Sequence, residues 1–159
     1  MYRKILAPLD GSELSERSLE HVKAVTTGCQ VPEVVLLRVV EPISSQTYAA
    51  YAGIGGDWIT KLERQNQAEA ENYLSQMAAN LSKEGIAAQT VIVSGRPAGE
   101  ILSYASKNQV DLIIMSTHGK AGISRWVFGS VMERVLHHSA VPVLIVPPPG
   151  RLSGESRGQ

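Results

Sequence analysis

The chain has 159 residues, 43% of them hydrophobic and 19% charged, which is enough apolar surface for one globular core. Lys plus Arg and Asp plus Glu number 15 each, so no net positive field directs the protein to DNA, RNA or an anionic membrane. No apolar run approaches membrane-spanning length and Met1 to Asp10 lacks a secretory pattern. The single cysteine, Cys29, excludes an internal disulfide, and the expected location is the reducing cytoplasm.

Arg3 to Asp10 predicts a first strand that ends in a tight loop at Asp10-Gly11. From Ser12 onward Leu14, Ser18, Leu19, Val22 and Val25 recur at helical spacing, with Ser12 as N-cap and Gly28 as the stop. Val34 to Val40 is nearly continuous and rich in β-branched residues, as expected of a strand covered on both faces. Ile43 to about Trp58 has no period and reads as an irregular excursion without chemistry. Lys61 to Glu84 predicts the longest helix, apolar along Leu62, Ala70, Tyr73, Leu74, Met77 and Leu81 and closed by Gly85.

Ala88 to Val93 is a third strand, and Gly95-Arg96-Pro97 leads into a helix from Ala98 to Lys107. Asp111 to Ser116 is a fourth, buried strand, Ser130 to Ser139 a helix, and Val141 to Val146 a fifth strand, after which three prolines end the fold. The polar tail 149–159 is expected to be disordered, which leaves one domain over 1–148. Strands alternating with helices predict an α/β fold, a doubly wound five-stranded parallel sheet with helices on both faces and right-handed crossovers. In such sheets ligands lie beyond the carboxyl ends of the strands, here the loops after Leu9, Val39 and Met115.

The segment from Met115 to Val131 joins a buried strand to a helix through small residues, including Gly119, Gly122 and Gly129. Ser130 and Glu133 have capping-box spacing, which puts a helix N-terminus near Gly129, where free N–H groups and the macrodipole favour a phosphate. By itself the segment reads equally as a capped helix after a loop, with Gly129 present for close packing and Ser130 as N-cap.

With its neighbours this segment resembles the universal stress protein family, whose ATP-binding members carry a glycine, two residues, a glycine, nine residues, then glycine and serine or threonine. Gly119, the nine residues from Lys120 to Phe128, and Gly129-Ser130 match this pattern, while its first glycine falls on Ser116. The opening strand with Ala7-Pro8-Leu9-Asp10-Gly11-Ser12, the Gly95-Arg96-Pro97-Ala98 lead-in and the closing Pro142 to Val146 extend the resemblance over nearly all of residues 2 to 148.

The resemblance implies an adenine nucleotide α hydrolase-like sheet of strand order 3-2-1-4-5 and a site for ATP. Asp10 would face the ribose or adenine side with Pro8 beside it, Val39 would contact the base, and Met115 and Ser116 would line the floor. Gly119, Gly129, Ser130 and Val131 would hold the phosphates, with Mg or Mn bound through phosphate oxygens. The resemblance also implies a homodimer through the last strand, and an exposed apolar edge at Val141 to Val146 agrees in part. For Asp10 the plain alternative is a turn carboxylate that caps the first helix.

No Walker loop, dinucleotide fingerprint or Gly-x-Ser-x-Gly elbow occurs. His118 reads as a loop histidine, His137 and His138 as the last turn of a helix, and His21 as surface. The expected function is a cytoplasmic stress-response module that holds ATP, works as a homodimer with unidentified regulatory protein partners, and hydrolyses ATP slowly at most. The alternatives are a family member without nucleotide binding that acts through protein contacts, and a weak ATPase or ATP-dependent transferase.

Overall fold

Five strands in the computed structural model form one sheet: β1 (Lys4–Pro8), β2 (Glu33–Val40), β3 (Ala88–Ser94), β4 (Leu112–Ser116) and β5 (Val143–Val146). The structure describes residues 2–51, 57–117 and 129–148, so the tail from 149 onward and Gly119 lie outside the described residues. Every pairing is parallel and the order is β3-β2-β1-β4-β5. The chain winds outward from β1 to β3 and then returns to β4 on the other side of β1, so the connection reverses between β1 and β4.

Side-chain alternation divides the core into two layers. Ile5, Ala7, Val34, Leu36, Leu112 and Ile114 face one side, where they pack with Leu19, Val22, Leu74 and Leu81. Leu6, Val35, Leu37, Ile113 and Met115 face the other, against Ala98, Ile101, Ala105, Met132 and Val135. Two covered faces explain why Val34 to Leu37 is uninterruptedly apolar and buried. Each fully buried Leu or Ile there contributes about 1.5–3 kcal/mol.

Six helices surround the sheet among the described residues: α1 (Glu13–Glu16), α2 (Ser18–Cys29), α3 (Ser45–Tyr51), α4 (Asp57–Lys83), α5 (Pro97–Lys107) and α6 (Ser130–His138). Ser12 is the N-cap of α1, its hydroxyl accepting the Ser15 N–H at 3.1 Å. The first helical segment is interrupted at Arg17, where the Ser18 hydroxyl donates to the Ser15 carbonyl at 2.6 Å and competes with the helical ladder. Gly28 does not stop α2. The helix runs through it to Cys29, and Gln30 closes it in the left-handed region with φ 52°.

The expected irregular excursion is helical over Ser45–Tyr51. The Ser44 hydroxyl accepts the Thr47 N–H at 3.2 Å, a local cap that the missing hydrophobic period hides. The long helix begins at Asp57 rather than Lys61, because Ile59, 4% exposed, already belongs to its buried stripe. β5 starts at Val143 rather than Val141. The Ser139 hydroxyl binds both the N–H and the carbonyl of Val141, and Pro142 has no N–H to give the ladder.

Candidate functional site

The carboxyl ends of β1, β2 and β4 open into a cleft of about 740 Å3. One wall is apolar, formed by Val39, Pro97, Ile101, Met115, Val131 and Met132; the other is polar, with Asp10, Ser15, Arg38, Asn66, Glu69 and Tyr73. Alternation along β2 creates this division, since Arg38 lies on the face of Leu36, covered by α2 and α4, while Val39 lies on the face of Leu37. Pro8, Ser116, Gly129 and Ser130 complete the lining from the ends of β1 and β4 and the start of α6. Eight of the nine residues expected from sequence therefore border one cleft, and the ninth, Gly119, lies outside the described residues together with His118.

The α6 N-terminus is docked against the end of β4. Gly129 is the N-cap, its N–H donates to the Thr117 carbonyl at 3.3 Å, and an added Cβ would stand 3.2 Å from that carbonyl. Glycine is thus needed for close approach rather than for its dihedrals, which are φ −56° and ψ 140°. The expected capping box is not formed. Ser130 is the first residue of the helix, no side chain caps it, and the Glu133 N–H bonds the Gly129 carbonyl as an ordinary helical donor. With no side-chain cap, the first-turn N–H groups lack helical acceptors beside the cleft, and the macrodipole adds partial positive charge there.

Asp10 follows β1 and makes a tight turn: its Oδ1 accepts the Ser12 N–H at 2.9 Å and the Ser12 hydroxyl at 2.5 Å. It therefore orients the cap of α1 rather than being the cap. Burial pushes the Asp10 carboxyl up, but the Ser12 hydroxyl and N–H, the Ser15 hydroxyl and the charge of Arg38 outweigh it and hold the group below its usual value of 3.8. The acceptor in the cleft is an ionised carboxylate at neutral pH.

Sequence reasoning did not reach Arg38, Asn66, Glu69 or Tyr73 as cleft residues. Arg38 had a signal, being the charged residue inside an apolar strand from Val34 to Val40. Asn66, Glu69 and Tyr73 share a stripe of i, i+3, i+7 spacing on α4, but only the packing of α4 against β2 and β3 shows which part of that stripe meets the cleft. Tyr73 is half-buried, and burial, with the charge of Glu16, pushes its hydroxyl up to about 12. Among the described residues no cluster of three His, Cys, Asp or Glu could hold a metal ion, and no helix is long and apolar enough to cross a membrane.

The family model of the universal stress protein family matches the chain over residues 1–147. The chain belongs to the universal stress protein family. Universal stress protein MJ0577 of Methanocaldococcus jannaschii is 36% identical over 155 residues, spanning 92% of this chain and 95% of the relative. The solved structure of MJ0577 superposes with a TM-score of 0.80 at 35% identity, over 94% of this chain and 99% of that one. Two further universal stress protein structures share the fold. One, in complex with cAMP, has a TM-score of 0.67 at 18% identity, over 91% of this chain and 97% of that one. The other, from Arabidopsis thaliana with AMP bound, has a TM-score of 0.64 at 14% identity, over 96% of both chains.

Proposed function

We propose that the cleft is an adenine nucleotide site that holds ATP, and that the protein acts as a homodimeric regulatory module rather than as an enzyme of high turnover. The observation that carries this reading is the α6 N-terminus, brought against β4 by Gly129 and opening on a cleft with one apolar and one polar wall. An anion is stabilised at such a terminus by N–H groups and dipole together. The strand ends border the cleft in the order β4, β1, β2, spaced about 4.8 Å apart. A phosphate at α6 therefore leaves the sugar over β1, at Asp10, and the base toward Val39 on β2.

The electrostatics favour the same orientation, because at the sugar and base end the carboxylates of Asp10, Glu41 and Glu69 outnumber the guanidinium of Arg38, so a polyphosphate there would meet net negative charge. Ser116 stands where ATP-binding relatives carry glycine. It pairs with Val146 in regular strand geometry and has no positive φ, so serine costs no backbone strain. A divalent cation would be held by the phosphate oxygens, with the hydroxyls of Ser116 and Ser130 as oxygen donors from the chain; it would offset phosphate charge. The cAMP and AMP complexes of the two distant relatives are consistent with an adenine nucleotide as ligand class. For the dimer, the support is β5, an apolar strand at the sheet edge.

The test is to purify the protein natively, denature it and identify the released nucleotide by chromatography. Near-stoichiometric adenine nucleotide, with ATP dominant, is the expected result. Release of nothing, together with a melting temperature that added ATP does not raise, would refute the reading and favour a protein that acts through protein contacts alone.

A further inference from the structure

We propose that Arg38 is a positioning residue that clamps the β1–α1 turn from beneath and thereby sets how strongly the protein reads the sugar hydroxyls of its nucleotide. The inference rests on the nucleotide reading above and deepens it. Three contacts meet at the guanidinium. Nη1 donates to the carbonyl of Leu9, the residue before Asp10, at 3.3 Å. A Cβ on Gly11, which has φ +81°, would stand 3.2 Å from Nη1, so the guanidinium lies directly against the turn backbone. Its central carbon is 5.9 Å from the centroid of the Tyr73 ring, which seats it between α4 and the turn.

This placement has a cost. Arg38 Nε is buried and has no hydrogen-bond partner among the described residues, and an unpaired buried donor destabilises a fold. A guanidinium at the end of an apolar strand is therefore not explained by packing alone, whereas a clamp on the turn that carries Asp10 accounts for it. The phosphate end of the cleft belongs to a different element, α6, so displacing the turn alters sugar recognition without altering phosphate contacts. Charge-assisted hydrogen bonds from sugar hydroxyls to the Asp10 carboxylate depend steeply on distance and angle.

The experiment measures the affinity of ATP and of 2′,3′-dideoxy-ATP, which lacks both sugar hydroxyls, by titration calorimetry on the wild type, Arg38→Met and Arg38→Lys. The wild type should prefer ATP by about tenfold or more, the scale of a hydrogen bond to a charged group. Arg38→Met should bring that ratio to within about threefold; the ratio cancels the loss of a positive charge from the cleft, which both ligands share. Arg38→Lys, which keeps the charge but not the fork beneath the turn, should show a reduced ratio; it decides the matter if Arg38→Met does not fold. An unchanged ratio in the variants, or equal weakening of both ligands, overturns the inference and leaves the nucleotide site standing. Failure of the wild type to bind either ligand overturns the site and the inference together.

Discussion

Replacing Gly129 by Asp separates ligand binding from folding at a single atom group. The backbone of Gly129, φ −56° and ψ 140°, is open to any L-residue, and Asp is a preferred N-cap that also complements the helix dipole. Against this stands the 3.2 Å approach of the new Cβ to the Thr117 carbonyl, which requires a shift of a few tenths of an ångström. The net change in stability without ligand is about 1 kcal/mol or less, or about 2–4 °C in melting temperature for a chain of this length. The new carboxylate lies at the proposed phosphate position, where two unit charges about 4 Å apart at an effective dielectric of about 20 repel by about 4 kcal/mol. Allowing for screening, ATP affinity should fall on the order of 100-fold. At ATP equal to about 100 times the wild-type Kd, ligand stabilises the wild type by about 2.7 kcal/mol and raises its melting temperature by about 5–10 °C; the variant should gain about 1 °C. Thermal shift with and without ATP reads both quantities, and Gly129→Ala isolates the steric part. A Gly129→Asp variant that binds ATP within about threefold of wild type would refute the assignment of phosphates to α6.

Two further outcomes test the turn that faces α6 across the cleft. Ser12→Ala removes the cap of α1 and the hydroxyl bonded to Asp10, and should cost about 1 kcal/mol in urea unfolding at pH 7; no change would show that the cap carries no stability. Asp10 has a folded-state pKa below its ordinary 3.8, so the stability it contributes is present above that value and lost as pH falls through the lower folded value. Asp10→Asn should accordingly be less stable than wild type at neutral pH, with the two unfolding curves converging below about pH 4; a difference that persists at acid pH would refute the linkage.

The fold could be read closely because its determinants are local. Val34 to Val40 and Leu112 to Met115 are strands covered on both faces and read as continuous apolar runs, and Gly85, Pro97 and Ser12 punctuate helices through backbone chemistry that needs no distant partner. Where such local signals compete, sequence reading slips. Gly28 looked like a stop, yet α2 packs one residue further and leaves the left-handed position to Gln30. Ser130 and Glu133 have capping spacing and the helix does start at Ser130, yet Gly129, docked on Thr117, takes the N-cap position and no side-chain cap forms.

The sequence by itself determined the alternation of strands and helices, because hydrophobic period and turn chemistry act over a few residues, and its motifs around Pro8, Asp10, Ser116 and Gly129 carried the family resemblance, which implied the strand order with β5 at the edge. Only the tertiary structure decided that Arg38 of β2 and Tyr73 of α4 stand under the Asp10 turn and form the polar wall of the cleft. Residues 38 and 73 are brought together by strand pairing and helix packing, whose free energy is spread over the whole buried core, so no short stretch of sequence records the contact.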